Sequence, residues 1–122
     1  MIKQIGKIGK TNIEAVKRNK EQFERLGITR CEVSNKDFAL SFAHKQKRIE
    51  YRSCPEKLWD INEVLLLTIP IHNLIENNRD LTKKLFECLR PVGKADGMNN
   101  ARRLIVNYLE KIGKHYLIDN IL

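Results

Sequence analysis

Four polar residues in the middle of the chain have the types and spacing that phosphate chemistry requires. These residues are His44, Asn62, His72 and Glu76, and the last two are four positions apart. Residues at this spacing share one face of a helix, so the side chains of His72 and Glu76 can both approach one divalent ion. With water and a phosphate oxygen, they suit Mg²⁺ or Mn²⁺, and the imidazole also suits Ni²⁺ or Zn²⁺.

Hydrolysis of a phosphodiester bond needs a base for water and a cation for the charge on the phosphate and the leaving oxygen. A histidine titrates near neutrality, which makes His44 the expected base. Lys47 or Arg48 is expected to neutralise charge beside the metal-bound phosphate. Asn62 is expected to hydrogen-bond the loop that carries His44 and so to fix the base in place.

The segments around these residues predict the elements that position them. Residues 31–33 and 38–42 are short, rich in aromatic or branched side chains and separated by a polar turn, which predicts a β-hairpin. His44 then stands at the end of its second strand. The apolar run at residues 63–67 is too short to be typed by periodicity. After Pro70, His72 is expected in the first turns of a helix.

Further helices are predicted on both sides of this region. A capping box at Thr11 and Glu14 predicts a helix from residue 11 to about residue 26, which Gly27 ends. Its predicted apolar face consists of Ile13, Val16, Phe23 and Leu26. Apolar spacing predicts two more helices, over residues 81–89 and 101–112. The fold class is therefore α+β. Residues 1–10 are predicted to be a basic flexible arm, residues 11–90 one domain, and residues 91–122 a C-terminal helical extension.

The charge balance favours a polyanionic partner. The chain has 23 Lys and Arg against 15 Asp and Glu, a formal net charge of +8. Nucleic acid is the expected partner, although a solvated basic surface explains the same residues. The expected DNA contacts are Lys7 and Lys10 in the arm and Lys45, Lys47, Arg48 and Arg52 after His44. With no signal peptide, no apolar run of membrane-spanning length and an odd number of cysteines, we expect a cytoplasmic protein without membrane contact.

Three short motifs give the chain a family resemblance. Phe42-Ala-His44-Lys-Gln-Lys-Arg48, Asp60-Ile-Asn62-Glu-Val and His72-Asn-Leu-Ile-Glu76 occur in this order, with Asn62 and His72 ten positions apart. In these features the chain resembles small HNH endonucleases, many of them encoded by bacteriophages. The resemblance implies a ββα-metal core of a β-hairpin and a helix, and the predicted N-terminal and C-terminal helices are expected to flank this core. It also implies metal-dependent hydrolysis of DNA in the host cytoplasm, with His44, Asn62 and His72 as catalytic residues.

The chain also departs from that family's pattern. Many members bind a structural zinc through two CxxC pairs, but beside Cys31 this chain has Ser34, Thr68 and Ile71, so we expect no structural zinc. Ala43 stands where many members have a further metal ligand. An alternative is therefore an inactive HNH scaffold that binds DNA or inhibits a host defence protein. A third alternative is a structural or packaging accessory, in which the C-terminal helix forms a homodimer or binds a host or phage protein.

Overall fold

Two antiparallel strands, β1 (Leu40–His44) and β2 (Val64–Thr68), form the sheet at the centre of the fold. Their register pairs Leu40 with Thr68 and His44 with Val64. The connection between them contains three short 3₁₀ helices, Arg48–Tyr51, Pro55–Trp59 and Ile61–Glu63. The structure is a computed structural model that describes residues 7–122, without the side chains of residues 7–11 and of Arg48.

The predicted hairpin between residues 31–33 and 38–42 is wrong. Residues 32–34 form a turn, in which the Asn35 amide donates to the Cys31 carbonyl at 2.9 Å. The turn lies against the edge of β2 that faces away from β1. There the Glu32 amide donates to the Leu66 carbonyl at 2.9 Å, and the Glu32 carboxylate accepts from the Leu66 amide at 2.7 Å. The partner of β1 is β2, the apolar run whose type the sequence left open, and His44 ends the first strand.

Both faces of the sheet are covered. On one face, Ala43, Leu65 and Leu67 belong to a hydrophobic cluster with α2 (Ile69–Ile75), α3 (Arg79–Leu89), α4 (Gly97–Lys111) and α5 (Ile118–Ile121). On the other face, Val64 and Leu66 pack with Phe23 of the helix α1 (Lys7–Arg25). A strand buried on both faces has no polar alternation, which explains the continuous apolar sequence of β2.

Helix α1 confirms the predicted helix but not its predicted apolar face. It begins at Lys7, before the predicted start, and ends at Arg25. Gly27 has a φ of +75°, and the Ile28 amide donates to the Phe23 carbonyl at 2.8 Å, as expected for a glycine that ends a helix. The buried residues are Ala15, Asn19 and Phe23, whereas three of the four predicted ones, Ile13, Val16 and Leu26, are exposed.

The helices after the sheet form where the sequence patterns predict them, with one difference at a site residue. α2 ends at Ile75, so Glu76 lies just beyond the helix that was expected to carry both His72 and Glu76. α2 has Pro70 in its first turn and includes His72. α3 starts after Asn78, whose side-chain oxygen accepts from the Leu81 amide at 3.1 Å. The apolar spacing predicted for α3 and α4 is buried at Leu81, Leu85, Leu89, Ala101 and Ile105. The α+β class is thus confirmed.

Three sequence predictions concern the ends and surroundings of the fold. Residues 1–6 of the predicted arm lie outside the described residues, and residues 7–10 belong to α1. The boundaries at residues 10 and 90 stay predictions. Among the helices of residues 7–122, none combines the length and the apolar character that crossing a membrane requires.

Candidate active site

His44 stands at the end of β1 with its ring held by the connection that follows. Its Nε2 lies 2.9 Å from the carbonyl oxygen of Leu58. A carbonyl only accepts, so Nε2 carries a proton, and in the neutral ring the basic lone pair is on Nδ1. The Tyr51 ring packs edge to face on the imidazole, with the ring centroids 5.8 Å apart. A neutral histidine in this tautomer can take up a proton at Nδ1.

Helix α1 fixes the carbonyl that holds His44. Asn19 is buried, and its Nδ2 donates to the same Leu58 oxygen at 2.9 Å. Three residues further along the same helix, Gln22 donates through Nε2 to the Trp59 carbonyl at 2.9 Å. These two amides tie Pro55–Trp59 to α1 and thereby set the position of His44.

Tyr51 supports the same arrangement from within the protein. Its side chain is buried, and its hydroxyl accepts from the Gln46 amide at 3.0 Å. The pKa of Tyr51 is raised from 10.0 to about 12, mainly by burial, with a smaller contribution in the same direction from the Glu63 carboxylate and an opposing one from the Gln46 hydrogen bond. The phenol is therefore neutral at physiological pH. The buried Tyr51 ring therefore packs inside the protein and supports the imidazole of His44.

His72 is held by a strand residue. Its Nδ1 lies 2.8 Å from Ser41 Oγ, and the same Oγ lies 3.4 Å from the Leu67 carbonyl. When Ser41 donates to that carbonyl, it accepts from Nδ1–H of His72, and the lone pair of the ring is on Nε2. A hydrogen bond of this kind is the usual way in which a metal-binding imidazole is oriented. Nε2 is thus the His72 atom that would bind a metal ion.

Two grooves meet at the histidines. The polar groove has a volume of about 460 Å³ and is lined by His44, His72 and Glu76, with Lys45, Lys47 and Arg79 among its other residues. The α1 groove has a volume of about 600 Å³ and lies along α1, where Val16 and Asn19 line it. Phe42, His44 and His72 line both grooves. The fold therefore brings five of the predicted site residues into the polar groove.

The other predicted site residues are elsewhere. Asn62 is exposed in Ile61–Glu63, where its backbone amide donates to Asp60 Oδ1 at 2.9 Å, and it lines neither groove. Arg52 is exposed and also outside both linings. The side chains of Lys7, Lys10 and Arg48 are outside the described part of the structure. The role predicted for Asn62 stays a prediction, while the Leu58 carbonyl makes the contact that holds His44.

A buried ion pair supports the turn that contains Asn62. Arg90 donates to both carboxylate oxygens of Glu32, and the side chains of Arg90 and Glu32 are 6% and 10% exposed. The same guanidinium donates to the carbonyls of Ile61 at 2.8 Å and Val64 at 2.7 Å. Arg90 therefore binds the backbone carbonyls at both ends of the Ile61–Glu63 turn. Through its ion pair with Glu32, it also connects this turn to the edge of β2 that faces away from β1.

Several residues that hold the site in place were not predicted from the sequence. Asn19, Ser41 and Arg90 are polar residues within amphipathic segments, where a solvated position is the ordinary expectation. A signal was available for Asn19, because it stands four positions from both Ala15 and Phe23 and so shares their helix face. Arg79 was not predicted as a groove residue either. It forms an ion pair with Glu50, which joins the connection between the strands to the start of α3.

Comparison with known proteins gives no identification. Neither a protein-family model, nor a curated protein, nor a solved structure matches this chain. The functional assignment therefore depends on the contacts of its own residues.

Two side chains of the polar groove are of types that bind divalent ions. No group of three or more His, Cys, Asp or Glu side chains within the described residues could hold a metal. His72 and Glu76 nevertheless line one groove and offer an imidazole nitrogen and a carboxylate. Mg²⁺ and Mn²⁺ accept such a set when water and substrate phosphate complete it, since Mg²⁺ commonly binds through one or two carboxylates plus phosphate.

The positions that bind structural zinc in the HNH family are packed into the interior. Cys31, Ser34, Thr68 and Ile71 are all buried. The Ser34 amide donates to Cys31 Sγ at 3.4 Å, and within the described structure the Thr68 hydroxyl has no hydrogen-bond partner. The absence of structural zinc stays a prediction, and the orphaned hydroxyl identifies a local weakness of the core.

Proposed function

We propose that this protein is a metal-dependent HNH-type endonuclease that hydrolyses phosphodiester bonds in DNA. One observation carries the proposal: His44, with Nε2 committed to the Leu58 carbonyl, lines the same groove as His72 and Glu76. The order β1, connection, β2 and α2 supports it, because the two histidines occupy the end of β1 and the middle of the short helix α2. The resemblance also implies a hairpin and a helix around these histidines, although the sequence placed His44 at the end of the second strand and here it ends the first.

The chemistry follows from the position of His44, whose Nε2 donates to the Leu58 carbonyl. Nδ1 accepts a proton from a water molecule as the water oxygen attacks phosphorus. The bond between phosphorus and the leaving oxygen breaks, this oxygen takes a proton from solvent, and His44 releases its proton to solvent. A divalent ion on His72 and Glu76 would supply positive charge for the phosphate and the leaving oxygen.

Basic residues beside the histidines support a polyanionic substrate. Lys45 and Lys47 are exposed at the polar groove, and Arg79 also lines it. Lys47 can neutralise phosphate charge next to the scissile bond, while the net charge of +8 attracts the backbone from a distance. Contacts to the phosphate backbone carry no sequence information, so we expect low sequence specificity.

Plasmid cleavage tests this proposal. Supercoiled plasmid is incubated with the protein in Mg²⁺, Mn²⁺ or Ni²⁺, with and without EDTA, beside His72→Ala. We expect nicked and linear products in at least one metal, no products with EDTA, and a large loss of rate in His72→Ala. Intact plasmid in every metal would overturn the nuclease proposal.

DNA binding without cleavage is the second candidate, and Ala43 favours it. This residue precedes His44 and is 1% exposed, within the cluster on the helix-covered face of the sheet. The position therefore supplies no metal ligand. A protein that binds DNA through several phosphates loses affinity steeply as salt rises. Steep salt dependence with intact plasmid would favour binding alone, and flat salt dependence would favour a protein target such as a host defence protein.

A further inference from the structure

The α1 groove lies directly beside the proposed catalytic histidines. Its volume of about 600 Å³ falls within the range of roughly 300–1,000 Å³ that is typical of small-ligand sites. Phe42, His44 and His72 form the boundary that it shares with the polar groove. A ligand whose phosphate lies at the histidines can therefore extend into the α1 groove.

The two grooves differ in chemistry. The polar groove presents Lys45, Lys47 and Arg79, which suit phosphates. The α1 groove instead has a largely apolar wall, formed by Ala15, Val16, Phe23, Leu40, Phe42 and Leu58. Its charged residues, Lys20 and Glu24, have opposite signs. This wall suits a neutral, flat group with a few polar edges.

Polar atoms for such edges are present. Asn12 and Thr29 line the α1 groove and offer an amide and a hydroxyl group. Phe42 offers an aromatic side chain that is only partly buried. An aromatic side chain beside a basic groove is the usual combination in proteins that bind single-stranded nucleic acid, since every base has a face that can stack.

We propose that the α1 groove receives an unpaired nucleobase of the DNA whose phosphate lies at His44 and His72. This inference rests on the proposed function for the position of the phosphate. A base in duplex DNA is already paired and stacked, and moving it into a pocket costs a few kcal/mol. The protein should therefore prefer single-stranded or locally unpaired DNA over continuous duplex.

Val16 offers a way to close the groove without disturbing the core. It lines the groove and is 47% exposed, so Val16→Trp places a large ring in the groove. Ile13 is the matched control, because it is 58% exposed on the same helix and lines neither groove. Equal melting temperatures of Val16→Trp and Ile13→Trp would show that both variants fold.

The test is fluorescence anisotropy in EDTA, with fluorescein-labelled oligo(dT) and a duplex of the same length. We expect tighter binding of oligo(dT) by the wild type and about a tenfold loss of this affinity in Val16→Trp, the order expected for one stacked base. Duplex affinity should not change, and Ile13→Trp should match the wild type. Equal affinity of the wild type for both DNAs would overturn the inference, as would unchanged or equally lowered oligo(dT) affinity in the two variants.

Binding in EDTA separates this inference from the nuclease proposal. Selectivity for oligo(dT) that depends on Val16, combined with intact plasmid in every metal, would retain the base pocket and overturn cleavage. Plasmid cleavage by a wild type without this selectivity would retain the nuclease and overturn the pocket.

Discussion

The Nε2 atom of His44 lies 2.9 Å from the backbone carbonyl oxygen of Leu58. A carbonyl oxygen only accepts, so this contact places a proton on Nε2 and sets the tautomer of the neutral His44 ring. Asn19 donates to the same oxygen and fixes it to α1. The base of the proposed reaction is therefore oriented by contacts between α1 and the connection that joins the two strands.

Ser41→Ala should weaken metal binding. The change removes the hydroxyl that lies 2.8 Å from Nδ1 of His72 and leaves the imidazole less well oriented. Loss of such a partner typically lowers metal affinity about 10–100-fold. Calorimetric titration with Mn²⁺ measures this change in affinity. The control is Ser53→Ala, because Ser53 is exposed in the connection between the strands. Equal Mn²⁺ affinity in Ser41→Ala and wild type would remove Ser41 from the site.

Tyr51→Phe should reveal the raised pKa of the phenol. Tyr51 keeps its proton in the folded protein up to about pH 12, whereas the unfolded chain loses it near 10.0. The stability that this proton contributes is complete below pH 10 and is lost as pH rises towards 12. We expect the wild type to be more stable than Tyr51→Phe by about 1 kcal/mol at neutral pH, because the variant loses the hydroxyl's hydrogen bonds.

Urea denaturation across this pH range measures the difference between the two proteins. The advantage of the wild type should shrink as pH rises, because only the wild type can ionise at this position. A difference that stays constant would contradict the burial of an intact phenol at Tyr51.

Glu32→Gln should destabilise the fold strongly. Glu32 and Arg90 are nearly buried, and without the carboxylate the Arg90 charge has no balancing partner. Breaking a buried pair in this way typically costs about 3–5 kcal/mol. The matched control is Glu14→Gln, which breaks the ion pair with Arg18. This pair is solvated, because the Glu14 side chain is 45% exposed and the Arg18 side chain 53%. We expect the control to cost at most about 1 kcal/mol in urea denaturation. Equal losses would mean that the Glu32–Arg90 pair is solvated.

Thr68→Val should stabilise the protein. The buried Thr68 hydroxyl has no hydrogen-bond partner in the described structure, so replacing it with a methyl group removes an unsatisfied polar atom. We expect a gain of about 1 kcal/mol in the free energy of unfolding. In the control, Thr82→Val, the lost hydroxyl donates to the carbonyls of Ile75 and Asn78, and we expect a loss of similar size. A loss in Thr68→Val would contradict the orphaned state of its hydroxyl.

The helices after the sheet could be predicted because their signals are local. Pro70 stands in the first turn of α2, and Asn78 caps α3 through an interaction with Leu81, three positions away. Apolar residues at helical spacing then identify the buried face of each helix. His72 is positioned by the same local signals, which explains why its place in α2 was predicted correctly.

The strand pairing could not be predicted in this way. Residues 31–33 have the composition of a short strand, yet Glu32 binds Leu66, which is 34 positions away. No pattern in the sequence around Glu32 predicts this contact. A continuous apolar run such as β2 is also compatible with a buried helix, so the partner of β1 was not visible.

The buried face of α1 depends on long-range hydrogen bonds as well. Asn19 is buried because its amide reaches the Leu58 carbonyl, 39 positions away in the chain. Apolar spacing favoured Ile13, Val16 and Leu26 instead, and these residues are exposed. The contact of His44 with the Leu58 carbonyl, which Asn19 fixes, could therefore not be predicted from the sequence.

The central claim is that His44 is the base of a DNA-cleaving site. The most direct test is the rate of plasmid cleavage by wild type, His44→Ala and His115→Ala in the same metal, since His115 is exposed and lies outside both grooves. We predict that His44→Ala cuts about 10²–10⁴-fold more slowly, the usual contribution of a general base, while His115→Ala keeps the wild-type rate. Cleavage by His44→Ala at the wild-type rate would contradict the claim.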